Sequence, residues 1–404
     1  MSLTRELQKF IAAINIKKVV INKINKNDKT ILIYRTDLIG DYLMSRNFLE
    51  LIRKSKKFQN YKIVVLLNIA VKDLALKFDS KYADEFIFYD IKQTNSLVLK
   101  LLKDRLNKYH FEYLINYHTL RQLPAEEIAR IVDAKNKFAL KNFAQQFSKN
   151  EEDEFNKNYT EIFSTNDNYA LGAVQFANLI TGEQYKEQYT TCSLNINENN
   201  FPNNKNLNLN YPYVILFPSA SYKEKRMDFE YFLDVAEYIH KHIKEKTGKE
   251  IKCVIIGSKQ DKELFKGYNL NKSYLVNLCG KYKLSDLPYI FHKALLVITN
   301  ETCAVHFAYA ANLKNALVFC NVYPPTAETI EYFKNKKEGD AFLFGKPNMG
   351  NYYYLYPKIS IEKAMDESYV PSENEDLRIK QDLKGISKRH IYAALDNIIN
   401  DIVN

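Results

Sequence analysis

The chain's 404 residues exceed what one ordinary hydrophobic core holds, which points to two domains of about 150 to 200 residues each. With 46% apolar and 26% charged residues it is not a disordered chain, and no apolar run reaches the roughly 18 residues of a membrane-spanning helix. The formal charge of +10 leaves three anionic partners open: nucleic acid, an anionic membrane face or a phosphorylated small molecule.

The 30 Tyr, 24 Phe and absent Trp, with Asn-rich runs such as Asn203 to Asn210, mark a general residue bias, so a single Lys, Asn or Tyr carries little weight. Cys192, Cys253, Cys279, Cys303 and Cys320 form no close pair, which speaks against a disulfide framework or zinc site and for a reducing compartment. Met1 to Asn27 lacks the apolar core and cleavage site of a secretory signal, so a cytoplasmic protein is expected. No helix-turn-helix, zinc-finger or RNP-like segment supports a nucleic-acid partner.

In chain order, Leu3, Leu7, Phe10, Ile11 and Ile14 share one helical face, with Arg5, Lys9, Lys17, Lys18, Lys23 and Lys26 around and after it. Such a helix suits an anionic membrane surface or packing across the domain. A buried-strand pattern follows at Lys29 to Arg35, then a loop and a helix near Tyr42. Apolar runs recur at Lys62 to Leu67, Glu85 to Tyr89 and Glu112 to Asn116, with helical patterns between several of them. From about Glu151 to Thr190 the pattern is mostly helical and polar, and the Asn-rich stretch Asn195 to Asn210 reads as a linker. A second alternation takes in Tyr213 to Phe217, a helix over Asp228 to Thr247, Ile251 to Ile256 and Tyr274 to Leu278. It closes with a helix to Lys293, Ala294 to Ile298, a helix over Ala304 to Ala311 and Ala316 to Phe319. The expectation is an α/β chain of two doubly wound domains, residues 1–200 and 201–404, with ligands bound beyond the carboxyl ends of the strands.

Three loops after strands carry the candidate chemistry. In Arg35-Thr-Asp-Leu-Ile-Gly-Asp41, Asp41 opens a helix, either as a structural cap or as a general base for an acceptor hydroxyl. The single glycine is not a dinucleotide fingerprint. In Pro218 to Arg226, small residues leave room for backbone amides to meet an anion, and Ser221, Lys225 and Arg226 reach towards it, unless the loop is simply a solvated basic one. In Thr299 to His306, Thr302 and the following amides suit a phosphate at a helix N-terminus. His306 is either a structural hydrogen-bonder or a residue beside the ligand, and its spacing from other ligands assigns no metal.

Taken together, these segments resemble glycosyltransferase family 9, the lipopolysaccharide core heptosyltransferases. Ile31 to Asp41 is similar to that family's opening strand and R-x-D-x-x-G-D turn. Phe217 to Ser221 with Lys225-Arg226 resembles its P-G-A-S and K-R-W segment. Leu278 to Lys281, Leu284 to Ile290 and Ile298 to Ala308 resemble its G-K and N-D-T-G-P-M-H-L-A segments, and Ile386 to Ile399 its closing helix. The matches run in order from Thr30 to Ile399.

The resemblance implies a GT-B fold of two Rossmann-like domains facing across a cleft, the first on the acceptor side and the second holding the nucleotide sugar, with the closing helix free to pack back on the first. It implies an inverting, metal-free glycosyltransferase that takes a sugar from a nucleotide donor, typically ADP-heptose, to a lipid-linked lipopolysaccharide core or related surface glycan. Peripheral contact with the inner face of the cytoplasmic membrane fits such an acceptor. By position, Asp41 is the implied base, Lys225 neutralises the donor diphosphate, and Ser219, Ala220, Ser221, Arg226, Asn300, Glu301, Thr302, Cys303 and Ala304 line the donor site. Glu263 is the implied ribose ligand, and His306 supports the phosphate loop. Glu301 stands where the family has Asp, Cys303 and Ser219 where it has Gly, and Met227-Asp228 where it has Trp-Pro. These departures leave two alternatives: a hexosyltransferase of the same fold, or a non-catalytic nucleotide- or glycan-binding relative.

Overall fold

The structure, a computed structural model, describes residues 16–141, 147–165, 169–186, 193–197, 199, 201–202, 207, 209–320, 351–357 and 383–404. The amphipathic helix expected over Leu3 to Ile14 lies outside the described residues, as do Cys192 and much of the expected linker. The chain divides into two compact units, Met1–Cys192 and Ser193–Asn404. Among the described residues no helix is long and apolar enough to cross a membrane.

In the first unit the described strands are β1 (Ile16–Val20), β2 (Thr30–Arg35), β3 (Lys62–Asn68), β4 (Glu85–Tyr89), β5 (Phe111–Asn116), β6 (Ala134–Leu140) and β7 (Glu161–Phe163). They form one sheet in the order β1-β4-β3-β2-β5-β6-β7, parallel except for β1, which runs antiparallel to β4. Among the described residues its α-helices longer than one turn are α1 (Ile39–Ser45), α2 (Asn47–Lys54), α3 (Ser96–Leu106), α4 (Leu123–Ile131), α5 (Lys149–Asn156) and α6 (Tyr169–Thr181). Strand side chains alternate between two cores. Leu32, Tyr34, Val64 and Leu66 pack with Val98 and Leu102 of α3 and Ile128 of α4. Helix α6 packs against α1 and α2, where Phe176 stacks on Phe48 at 5.4 Å.

Several elements differ from the sequence expectation. Lys17 and Lys18 sit in strand β1, because pairing with β4 decides their conformation. Strand β6 reads poorly as a strand because Lys135 to Lys137 are polar and only its last three residues are buried. Helix α6 is apolar, with Ala173, Val174, Phe176, Ala177 and Ile180 buried.

The second unit contains β8 (Tyr213–Phe217), β9 (Lys252–Ile255), β10 (Leu275–Asn277), β11 (Leu296–Asn300), β12 (Asn315–Phe319) and β13 (Asn351–Leu355). Among the described residues they form a wholly parallel sheet in the order β10-β9-β8-β11-β12-β13. Among the described residues its α-helices are α7 (Phe229–Thr247), α8 (Leu287–Lys293), α9 (Cys303–Ala310) and α10 (Lys388–Val403). Helix α7 stops at Gly248, whose φ of +68° is a conformation open to glycine and costly for other residues. The closing helix α10 packs within this unit. Ile391, Leu395 and Ile398 share a core with Phe232, Val235 and Ile239 of α7, and Tyr392 stacks on Tyr238 at 4.4 Å. Lys388 adds a 2.6 Å ion pair to Asp234.

In each unit the chain fills one side of its first parallel strand and then returns to the other. The switch points lie between β2 and β5 and between β8 and β11. At such a point successive loops diverge, leaving a crevice for ligands.

Between β5 and α4 the chain places Arg121 in a wholly buried ion pair. Arg121 donates through Nε and Nη2 to Glu126 at 2.7 and 2.6 Å, and its guanidinium stacks on Tyr159 at 4.6 Å. Replacing Arg121 by Met strands a carboxylate in a dry interior and should lower the unfolding free energy by about 3 to 5 kcal/mol. Urea unfolding measures this, and Arg121→Met combined with Glu126→Leu should cost less than Arg121→Met alone.

Candidate active site

Strands β8 and β11 run side by side, with Leu216 level with Ile298 and Phe217 with Thr299, so the loops after them leave the sheet together. The buried Asn300 amide joins them. Its Nδ2 donates to the Pro218 carbonyl at 2.8 Å, and its Oδ1 accepts from the Met227 amide at 2.9 Å. Both ends of the loop from 218 to 227 are thereby fixed to one side chain. Within that loop Arg226 Nε donates to the Ala220 carbonyl at 2.9 Å.

Lys225 reaches Glu301, Nζ to Oε2 at 2.8 Å, with side chains 20% and 8% exposed. Beside it Thr302 caps α9, its Oγ1 accepting from the Ala304 amide at 3.1 Å. Burial raises the Cys303 thiol to about 11, so it is a neutral side chain rather than a nucleophile. His306, one turn into α9, is buried. Burial, followed by the charge of Lys225, lowers its pKa to about 3 and keeps the ring neutral.

A third loop, after β9, closes on the first two. Asp261 Oδ1 accepts from Ser219 Oγ at 2.7 Å, and Oδ2 accepts from the Ser258 amide at 2.6 Å. Gly257 makes the approach possible, since a Cβ there would stand 2.9 Å from Asp261 Oδ2. Glu263, the residue expected at the ribose, has a side chain 77% exposed and 3.8 Å from Lys266. The structure thus gathers Ser219, Ala220, Lys225, Arg226, Asn300, Glu301, Thr302, Cys303, Ala304 and His306. It leaves Ser221 exposed and Glu263 outward, and it adds Asp261.

In the first unit Asp41 sits in the first turn of α1, its Oδ2 accepting from the Leu38 amide at 3.2 Å. The cap is therefore real, and it uses one carboxylate oxygen. Asp37 is held by Arg35, Nε to Oδ1 at 3.0 Å and Nη2 to Oδ2 at 2.9 Å. The buried guanidinium also donates to the Tyr117 carbonyl at 2.8 Å and to Thr119 Oγ1 at 3.3 Å. Burial raises the Asp37 carboxyl to about 7 against the pull of Arg35, and the Asp41 charge adds to the rise.

The loop after β5, which the sequence reading passes over, braces this arrangement. His118 Nε2 accepts from the Thr36 amide at 2.7 Å, which places the ring proton on Nδ1, 2.6 Å from Asn116 Oδ1. Burial, followed by Arg35 and Arg121, holds its pKa well below the ordinary value. Position was the available signal, since His118 follows a buried strand at the switch point. Among the described residues no three His, Cys, Asp or Glu side chains gather as a metal site.

A family model for glycosyltransferase family 9 (heptosyltransferase) matches residues 123–331, just over half of the chain. The chain belongs to that family. Solved structures extend the likeness to the fold of both units. The glycosyl transferase family 9 from Veillonella parvula is 17% identical with a TM-score of 0.62, covering 94% of this chain and 99% of its own. The E. coli ADP-heptose lps heptosyltransferase II is 14% identical with a TM-score of 0.58, covering 92% and 99%. The E. coli heptosyltransferase WaaC with ADP is 13% identical with a TM-score of 0.60, covering 91% and 99%. Comparison with curated protein sequences returns no match. The chain is thus a family 9 glycosyltransferase with a GT-B architecture of two Rossmann-like units.

The neutral His306 has a measurable consequence. The folded chain refuses a proton that the unfolded chain takes up at an ordinary histidine pKa, so stability falls as pH drops from about 6.5 towards 3, by up to ~1.4 kcal/mol per pH unit. Melting temperatures between pH 7 and 4 should fall less steeply in His306→Gln.

Proposed function

We propose that this glycosyltransferase moves a sugar, heptose from ADP-heptose, onto a lipid-linked lipopolysaccharide core or related surface-glycan acceptor, with inversion at the anomeric carbon. The observation carrying the reading is the meeting of Lys225, the Thr302-capped start of α9 and the Ser219–Asp261 contact at one switch point. A cation and helix-terminal amides side by side suit a diphosphate, and a carboxylate beside them suits the ribose hydroxyls of a nucleoside. Of the similar E. coli proteins, one is an ADP-heptose lps heptosyltransferase and the other a heptosyltransferase with ADP, which supports the same donor class here.

In the proposed reaction Asp41 takes the proton of the acceptor hydroxyl as its oxygen bonds to the anomeric carbon. The bond from that carbon to the diphosphate oxygen breaks in the same displacement, and the diphosphate leaves from the opposite face. A single displacement inverts the centre and needs no enzymic nucleophile, in keeping with the neutral Cys303 thiol. Lys225, held by Glu301, and the amides after Thr302 meet the charge growing on the leaving group, so the reaction as proposed calls on no metal or cofactor. Asp261 takes the ribose role in place of the outward Glu263. Transfer of a hexose is the alternative, favoured by Glu301 and Cys303, which alter the phosphate-side loop relative to the family pattern. The proposed setting is the cytoplasm, at the membrane face where a lipid-linked acceptor is reached.

Asp41→Asn should lower transfer by at least about a hundredfold while leaving ADP affinity unchanged. In calorimetry Lys225→Ala should weaken ADP binding by about tenfold or more. A wild-type chain that binds no nucleoside diphosphate overturns the donor assignment. Asp261→Asn should weaken ADP binding where Glu263→Gln does not, and the reverse order returns the ribose to Glu263.

A further inference from the structure

On the first unit, α3 and α4 enclose a groove of about 570 Å³. Leu99, Leu123, Pro124 and Ile131 give it apolar lining, while Lys100, Lys103 and Arg130 bring positive charge against a single acidic residue, Glu127. Arg130 is already committed to Glu127, its Nε 3.1 Å from Oε2. Lys100 and Lys103 have no ion-pair partner among the described residues, so two positive charges stand uncompensated beside apolar surface. Leu123, which lines the groove at the start of α4, and Leu120, three residues before it in the chain, are exposed by 50% and 45%.

This face is tied to the Asp41 loop. Leu120 follows Thr119, which takes a hydrogen bond from Arg35, the same guanidinium that holds Asp37. Both α3 and α4 begin at the carboxyl edge of the sheet, the edge on which Asp41 stands.

We infer that the α3–α4 face docks the chain on an anionic lipid surface, with Leu120 and Leu123 entering the headgroup layer and Lys100 and Lys103 meeting lipid phosphates. Apolar side chains flanked by lysines at one edge are the composition of an interfacial contact. The choice of lipid over an acidic protein rests on the cations themselves. Lysines on long stems without fixed partners suit a fluid layer of phosphates, whereas a protein carboxylate is better met by the arginine fork, which Arg130 already spends on Glu127. The inference rests on the proposed lipid-linked acceptor, since docking at this edge would bring Asp41 near the bilayer that carries it.

The test is flotation of the full chain with vesicles of phosphatidylcholine alone or with about 30 mol% phosphatidylglycerol, at low and physiological salt. The wild type should float with the anionic vesicles only, and more salt should weaken it. Lys100→Gln with Lys103→Gln should weaken binding by about thirtyfold, at roughly one basic residue's contribution each. Leu120→Ser with Leu123→Ser should also weaken it, while Lys249→Gln with Lys272→Gln, which removes equal charge elsewhere, should not. Melting temperatures of all variants should match the wild type. Vesicle binding that is absent in the wild type, unchanged in the α3–α4 variants, or weakened equally by the control pair overturns the inference. Calorimetry with ADP separates the two readings: a chain that floats but does not bind ADP keeps the docking face and loses the donor assignment.

Discussion

Where a parallel strand ends and its loop turns away, backbone amides and carbonyls lose their ladder partners while still shielded from water, and each must find another. In each unit a buried polar side chain does part of this at the switch point. Asn300 takes the Pro218 carbonyl and the Met227 amide, and His118 takes the Thr36 amide while its other nitrogen is held by Asn116. A buried amide left without a partner costs about 1 to 3 kcal/mol, so the loops have little freedom to move without breaking these contacts. The candidate chemistry on both sheets therefore stands on anchored backbone.

The same anchoring governs the charges. A lysine fixed in one rotamer loses up to ~2 kcal/mol of side-chain freedom, and Lys225 has already lost part of it to Glu301. A diphosphate arriving there would meet a cation already aimed, with a carboxylate behind it to hold its position. On the first sheet Arg35 plays the corresponding part. It is buried, it binds Asp37 with two nitrogens, and its remaining donors reach the loop after β5. Asp37, which it binds, lies four residues from Asp41.

What could be read from the sequence follows burial. Thr30 to Arg35 and Tyr213 to Phe217 are covered on both faces, and such strands stand out as continuous apolar runs. Loops placed directly after them, with Asp41, Lys225 and Thr302, are legible for the same reason. Strand β6 is hidden because its first residues are only partly covered and carry Lys, Asn and Lys. The choice between Asp261 and Glu263 was not legible either. Both lie on the short 3₁₀ turn Gln260–Phe265, where residues two apart point to different sides, and only contact with Ser219 shows which one faces the loops. His118 was missed because its role depends on a bond to a residue 82 positions away.

Strand β4 is among the most apolar stretches in the chain, Glu85-Phe-Ile-Phe-Tyr89, with the rings of Phe86 and Phe88 stacked at 5.6 Å. Without β1 it would border the sheet, and a bare, flat, aromatic border invites pairing with the same strand of another molecule. Strand β1 covers that border in the antiparallel sense and leaves Lys17 exposed, while the Lys18 ammonium reaches back to Glu85 and donates to the Tyr109 hydroxyl. Copies of the protein meeting at this side would bring their Lys17 charges together. Five residues near the start of the chain thus act as a guard on solubility during and after folding, quite apart from any part in sugar transfer.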